Sequence, residues 1–131
     1  MLVRSAFLAA GLTVLAVPAS AETIERTVKA NHRSPVGGLF TYEVGTCRAS
    51  AIPDVTIRDK PRNGTVAIHS VTATLPPETN CGGQKVSGPA LIYTPNKGFK
   101  GADQFTIDFP FATNETRSPT GMTRTYRINV E

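Results

Sequence analysis

Hydrophobic and polar residues alternate over short stretches of this chain, and the pattern recurs from residue 22 to the end. Two stretches show it best, with shared faces formed by Phe105, Ile107 and Phe109 and by Tyr126, Ile128 and Val130. Side chains two positions apart lie on the same face of a β-strand, so this alternation is typical of strands buried on one side. No long stretch repeats its hydrophobic positions at helical spacing. The pattern therefore predicts strands rather than helices.

Seven such runs follow one another, separated by turns rich in glycine, proline and asparagine. They cover residues 24–30, 39–44, 55–57, 65–71, 90–94, 104–109 and 123–130. Several short strands with turn residues between them favour a sandwich or a barrel. We expect an all-β, antiparallel β-sandwich of about seven strands, with the first run at a sheet edge. The hydrophobic content of 40% is enough to fill one core.

Two connections in this pattern are long, at residues 72–89 and 110–121. Loops of this length without secondary structure are uncommon and are often functional. Insertions into surface loops also cost little free energy, so a tolerated insertion is the alternative interpretation.

Residues 1–21 have the composition of a signal peptide. Arg4 supplies the positive charge, residues 6–17 form an apolar run, and small residues precede a cleavage site that we place after Ala21. The apolar run is short for a membrane span, although a retained N-terminal anchor is the alternative. The expected organisation is a signal peptide at 1–21 and one domain at 22–131, without a transmembrane segment after cleavage. A periplasmic or secreted location follows.

Two turns separate the predicted strands at 90–94 and 104–109. Pro95 ends the first strand because proline has no ladder donor, and Gly98 and Gly101 allow tight turns. Phe99 stands between these glycines, and we expect it to fold back and close one end of the core. We expect Asp103 to accept hydrogen bonds from nearby backbone N–H groups. Upstream, Asn63-Gly64 is typical of a hairpin turn.

The same residues carry a resemblance to a known family. The two motifs consist of Pro61 and Gly64, and of Tyr93, Pro95, Gly98, Phe99, Gly101, Asp103 and Phe105. Together they resemble bacterial Ig-like, cadherin-like repeats over about half of the chain, from residue 61 onward. The resemblance implies an Ig-like β-sandwich. Such repeats usually occur in tandem in large surface proteins, often adhesins, whereas this chain has one copy.

Cys47 and Cys81 are the two cysteines of the chain. In an oxidising compartment a pair of cysteines is more often bonded than free, so we predict a disulfide. The bond would stabilise the fold by roughly 3–4 kcal/mol in the chain-entropy model. A redox or metal-binding pair is the alternative, although the chain has no Cys-x-x-Cys spacing.

The chain carries a net charge of +4, which becomes +3 when Arg4 leaves with the signal peptide. Basic residues are densest at 58–62, where Arg58, Lys60 and Arg62 surround Asp59. Such a cluster suits an anionic polysaccharide, a lipid headgroup or a nucleic acid, or it is an ordinary solvated loop. Export argues against a nucleic-acid partner.

The sequence predicts no catalytic, cofactor or metal site. His32 and His69 lack neighbours at ligand spacing, and no Gly-x-Ser-x-Gly turn is present. Two pairs of aspartates, Asp54 with Asp59 and Asp103 with Asp108, flank strands but are sparser than a calcium site requires.

We therefore expect a non-catalytic exported module of the bacterial cell envelope that binds or supports other components through a sheet edge or its long loops. Its partner would be an unidentified protein or an envelope polysaccharide. The alternatives are a small secreted enzyme or accessory domain, in which a histidine meets a carboxylate and a nucleophile, and an exported metal or small-ligand carrier that uses His32, His69 and Met122.

Overall fold

A computed structural model describes residues 21–43, 45–48, 54–111 and 120–131. Seven β-strands account for most of them, which confirms the predicted all-β fold and the number of strands. The strands are β1 (Glu22–Val28), β2 (Ser34–Gly38), β3 (Thr56–Asp59), β4 (Gly64–Thr74), β5 (Lys85–Pro95), β6 (Gly101–Phe111) and β7 (Thr120–Val130).

The strands form two sheets, one with the order β1-β7-β6-β3 and the other with the order β2-β5-β4. Four of the strand pairs are antiparallel, as predicted. The pair β1–β7 is parallel, which the sequence pattern did not predict. These are the first and last strands of the chain, so no tight turn forces them to run in opposite directions.

The core lies between the sheets, and the two predicted hydrophobic faces of β6 and β7 both point into it. Phe105 and Tyr126 are fully buried and stack on each other with ring centroids 4.9 Å apart. Leu91 and Tyr93 of β5 face them from the other sheet and are equally buried. Because alternate residues of each strand enter this core, a shift of one residue in any central strand would expose its hydrophobic face.

The long connection predicted at 72–89 is shorter in the structure, because eight of its eighteen residues belong to strands, so its predicted bounds were wrong. β4 runs to Thr74 and β5 begins at Lys85, which leaves a connection of residues 75–84. Gly88 lies inside β5, and the residue is a glycine because a Cβ there would collide with the carbonyl oxygen of Leu39. Pro89 is tolerated because its carbonyl, which accepts a hydrogen bond from the Leu39 N–H at 3.0 Å, points away from β4. The N–H that proline lacks would point the same way, so the β4–β5 ladder loses nothing.

The prediction of a strand at 39–44 is also wrong, since the strand in this region is β2 at Ser34–Gly38. Gly37 and Gly38 look like a turn in sequence, but a Cβ on Gly37 would lie 2.5 Å from the hydroxyl oxygen of Tyr126. Gly37 therefore allows β2 to pack closely against Tyr126 of the opposite sheet. Val44 lies outside the described residues.

Two further predictions concern parts of the chain that the structure mostly does not describe. The connection predicted at 110–121 begins inside β6 and ends inside β7, and residues 112–119 lie outside the described residues. The predicted signal peptide lies outside them up to residue 20. No helix among the described residues has the length and hydropathy to cross a bilayer.

Candidate binding edge

A buried carboxylate fastens the β3–β4 connection to β5 and β6. Asp103 Oδ1 accepts hydrogen bonds from the backbone N–H groups of Arg62 at 3.0 Å and Gln104 at 2.9 Å. Its Oδ2 accepts from the Asn63 N–H at 3.1 Å and from the Tyr93 hydroxyl at 2.8 Å. The predicted role of Asp103 as an acceptor of backbone N–H groups is confirmed. Two of its donors are about 40 residues away, so it joins distant segments as well as its own turn.

Tyr93 completes this polar cluster from the core side, where its ring is fully buried. Burial and then its hydrogen bond to the Asp103 carboxylate raise the pKa of the Tyr93 phenol above the ordinary value. The hydroxyl consequently stays protonated and remains a donor to Asp103 across the physiological range.

The glycines and prolines of the two motifs lie around the same cluster. Gly98 and Gly101 have φ values of +79° and +128°, which confirms the predicted turns. The hairpin turn predicted at Gly64 is wrong, because β3 and β4 belong to different sheets. A Cβ on Gly64 would lie 2.6 Å from the Thr94 carbonyl oxygen and 2.8 Å from the Tyr93 ring, so close packing explains this glycine.

The remaining motif residues close the same end of the sandwich. Phe99 is half-buried against the core, as predicted. Pro95 is the last residue of β5 and pairs with Gly64, while Pro61 is half-buried in the β3–β4 connection. Asn96, which follows Pro95, donates its N–H to the Asn63 carbonyl at 2.8 Å. The motifs thus form one structural cluster, whose effect is to fix where β4 begins.

The predicted disulfide between Cys47 and Cys81 is confirmed, with a Cα–Cα distance of 5.5 Å. Cys81 is buried in the β4–β5 connection, whereas Cys47 lies in the segment between β2 and β3 with a φ of +56°. The bond therefore ties the far end of the β4–β5 hairpin to the rest of the sandwich.

Between the polar cluster and the disulfide, β4 forms an open edge of its sheet. Among the described residues, β4 pairs with β5 alone, over Gly64 to Thr74 and without a shift in register. None of its eleven residues, Gly64 to Thr74, is Asp, Glu, Lys, Arg or Pro. Ile68 and Val71 are each 36% exposed, which makes them the large hydrophobic side chains that the described surface exposes most.

The three other edge strands carry features that hinder the addition of another strand. β1 contains Glu22, Glu25 and Arg26, β2 is five residues long with Pro35 at a bulge, and β3 is four residues long with a bulge. Charged side chains, proline, bulges and short length are the usual ways in which proteins protect sheet edges. Arg26 also donates its Nε–H to the Val36 carbonyl at 3.0 Å, which occupies an acceptor on β2. β4 has none of these protections.

The two histidines and Met122 lie in three different parts of the fold. His69 is exposed on β4, where its Nε2 is 3.0 Å from a guanidinium nitrogen of Arg33 and accepts a hydrogen bond. His32 follows β1, in a segment joined to the end of β7 through the Ala30 N–H and the Glu131 carbonyl at 2.6 Å. Met122 pairs with Phe109 eight residues before Val130, roughly 26 Å along β7. Of the residues in the carrier hypothesis, Met122 therefore lies at the far end of β7 from His32.

The aspartates of the sequence pattern also separate. Asp103 is buried, whereas the Asp108 carboxylate accepts from Thr123 Oγ1 at 2.7 Å and from Arg58 Nε at 2.7 Å on the outer face. The Thr123 hydroxyl, followed by Arg58, lowers the pKa of Asp108. Within the described parts of the chain, no three His, Cys, Asp or Glu side chains form a group able to hold a metal.

The predicted basic cluster lines a concavity of about 440 Å³ beside β3 and β6. Lys60 and Arg62 contribute its positive charge, because Arg58 is paired with Asp108 at 2.7 Å, and Asp59 in the same lining offsets part of it. Neither Lys60 nor Arg62 forms an ion pair within the described residues. The concavity therefore suits a small anionic group.

No protein-family model matches the chain, and no curated protein does. A solved structure with a distant likeness is the solution structure of Amebosin, at 11% identity and a TM-score of 0.44. The match covers 87% of this chain and 99% of that one. A likeness at this level carries no argument about fold or function here.

The hydrophobic pattern alone did not identify β4 as the exposed edge, although the sequence contained a signal for it. Residues 63–77 contain no Asp, Glu, Lys or Arg, which is the longest such run after the predicted cleavage site. An uncharged run can belong to a buried central strand or to an exposed edge, and only the strand order distinguishes them.

Proposed function

We propose that this chain is a non-catalytic exported module of the bacterial cell envelope that binds a partner by strand addition at the β4 edge. The observation that carries the proposal is the contrast between β4, which is long, regular and uncharged, and the three protected edges. In strand addition, main-chain hydrogen bonds supply the affinity and alternate side chains supply the specificity.

We also propose that the sandwich is Ig-like, and the strand order supports this. The chain places its second, fifth and fourth strands in one sheet and its third, sixth and seventh in the other. The Ig-type sandwich divides strands B, E, D and C, F, G in the same way. The first strand differs, since β1 pairs with β7 in parallel.

Export is supported by the disulfide and by the predicted signal peptide. Disulfides form and persist in oxidising compartments such as the periplasm. The location that fits both features is the periplasm or the cell exterior.

A pull-down from periplasmic extract with the wild-type protein and a Val71→Lys variant tests the proposal. We expect the wild type to retain a protein partner and the variant to lose it, because a lysine on an edge strand hinders pairing. Thr94→Lys places the same charge on the central strand of the same sheet and serves as the matched control. Equal retention by all three proteins would contradict the proposal.

The concavity beside β3 supports an anionic polysaccharide as a second candidate partner. Lys60 and Arg62 line it, and exposed cationic groups bind polyanions in a salt-dependent manner. Binding of anionic glycans that decreases in a Lys60→Ala/Arg62→Ala variant, and that weakens with added salt, would favour this candidate over the β4 edge.

A further inference from the structure

We propose that the partner at the β4 edge is a second copy of this chain, paired antiparallel through β4 so that residue i lies opposite residue 138−i. This inference rests on the proposed function, because it names the occupant of the same edge. The product is a continuous six-stranded sheet with the order β2-β5-β4 and then β4-β5-β2 of the second copy.

The charge of β4 supports a second copy as the occupant. When a strand pairs with a copy of itself, any charge that it carries is present on both strands. Like charges that face each other across the pair are destabilising. From Thr65 to Thr74 the strand carries no Asp, Glu, Lys or Arg, so self-pairing brings no fixed charges of the strand together. A charged peptide would find no complementary charge on this strand. The edge therefore favours a neutral strand, and β4 itself is one.

Symmetry restricts how the two strands can be aligned. A two-fold axis perpendicular to the sheet places the core-facing surfaces of the two copies on the same face of the joined sheet. In an antiparallel pair, the side chains of two opposing residues also point to the same face. Residues of equal parity must therefore lie opposite each other, which places the axis at a residue and not between two residues. β4 spans Gly64 to Thr74, so the alignment that pairs every residue of the strand has its axis at His69.

This alignment covers the exposed hydrophobic side chains. Val71 lies opposite Ala67 of the second copy, and Ile68 lies opposite Ser70, each pair occurring twice. Ile68 and Val71 are each 36% exposed in the single chain, and neighbouring side chains on an added strand would reduce that exposure. The pairing thus satisfies the open main-chain groups of β4 and shields its most exposed hydrophobic residues together.

The test is sedimentation of the purified full chain over a range of concentrations, with variants that distinguish this alignment from others. We expect the wild type to dimerise. Val71→Lys should raise the dimer dissociation constant at least about tenfold, because the change occurs twice in a symmetric pair. Ala67→Glu should weaken the dimer as well. Thr94→Lys should leave it unchanged.

The double variant Ala67→Glu/Val71→Lys should recover dimerisation to within a few-fold of the wild type. In the proposed alignment the introduced carboxylate and ammonium groups face each other across both symmetric pairs. Within one chain they lie four residues apart on a strand, roughly 13 Å, and gain little from each other. Recovery therefore reports pairing between chains, and the circular dichroism spectrum of each variant shows whether it is folded.

A chain that stays monomeric at every concentration overturns the inference, as does a dimer that Val71→Lys and Ala67→Glu leave intact. Failure of the double variant to recover overturns the alignment at His69. If the monomeric chain still retains an envelope protein that Val71→Lys releases, the inference fails while the proposed function stands. If it retains nothing through β4, both fail.

Discussion

β3 and β4 are consecutive strands that both end a sheet, and they differ in every property that governs the pairing of edges. β3 has four residues, a bulge after Ile57 and the charged residues Arg58 and Asp59. β4 has eleven residues, no bulge and no charged residue. The side chain of Arg58 is held by Asp108 of the neighbouring strand, whereas Ile68 and Val71 of β4 are each 36% exposed.

This difference is instructive because both strands are fastened by the same polar cluster. Asp103 binds the connection between them through the N–H groups of Arg62 and Asn63. The cluster keeps β4 in place at one end, and the Cys47–Cys81 bond restrains the hairpin at the other. A well-anchored strand with an unprotected edge is suited to binding, because its ordering cost is met in the folded chain before any partner arrives.

The largest expected effect on stability is the loss of the disulfide. A Cys47→Ala/Cys81→Ala variant should have a free energy of unfolding lower by roughly 3–4 kcal/mol, because the bond closes a loop with a sequence separation of 34. Denaturant titration measures the change, and the wild type under reducing conditions should give a similar value. A loss below about 1 kcal/mol would mean that the hairpin end is held by packing alone.

Removal of the carboxylate at Asp103 should come next. Asp103→Asn turns an acceptor into an NH₂ group that must face at least one of the four donors, which should lower the free energy of unfolding by about 2–3 kcal/mol. Asp59→Asn makes the same change at an exposed position of β3 and should shift stability by less than about 0.5 kcal/mol. Equal effects of both variants in thermal or denaturant unfolding would contradict the role assigned to the cluster.

The close packing at the start of β4 should be somewhat less costly to disturb. Gly64→Ala places a Cβ against the Thr94 carbonyl and the Tyr93 ring, so we expect a loss of about 1–3 kcal/mol. Gly121→Ala is the control, since a Cβ there meets no atom within 4 Å. The control should change stability by less than about 1 kcal/mol. A neutral result at Gly64 would show that the β3–β4 connection adjusts freely.

Tyr93 predicts a dependence on alkaline pH. Its pKa is raised in the folded chain, so its contribution to stability is full below the ordinary phenol pKa of about 10 and is lost as pH rises above it. Stability measured between pH 8 and 11 should decline less steeply in Tyr93→Phe than in the wild type. Parallel slopes would indicate that the phenol is not shielded by burial and Asp103.

The smallest expected effect belongs to the ion pair that protects β3. The pKa of Asp108 is lowered in the folded chain, so its contribution is present above the ordinary carboxyl pKa of about 4 and is lost as pH falls through the lower folded value. Asp108→Asn should flatten this acid limb in a series of unfolding curves from pH 6 to 2. The Asp108 side chain is half-buried at the surface, so the change should be small and should diminish with added salt.

The sequence predicted the parts of this account that depend on local pattern. Alternation placed the inward faces of β6 and β7, and the positive φ of Gly98 followed from its position in a turn. Parts that depend on distant contacts were missed or wrong. Gly88 was assigned to a long connection and Gly37 to the segment before a predicted strand, whereas each is a glycine because another segment lies against it.

The candidate edge was the least predictable feature for the same reason. Whether the uncharged β4 lies at the centre or the edge of a sheet depends on strand order, and strand order depends on contacts between segments far apart in the chain. Asp103 illustrates both cases, because its acceptor role was predicted and its distant donors at 62 and 63 were not.

The most direct test of the central claim is residue-resolved amide exchange at low and high protein concentration. Successive N–H groups of an edge strand point alternately to its neighbour and to solvent. We expect alternate amides between residues 65 and 73 to become protected at high concentration, while those of β3 do not change. Protection that does not change along β4, or that rises instead on β1 or β3, would contradict the claim that the β4 edge binds a second copy of the chain.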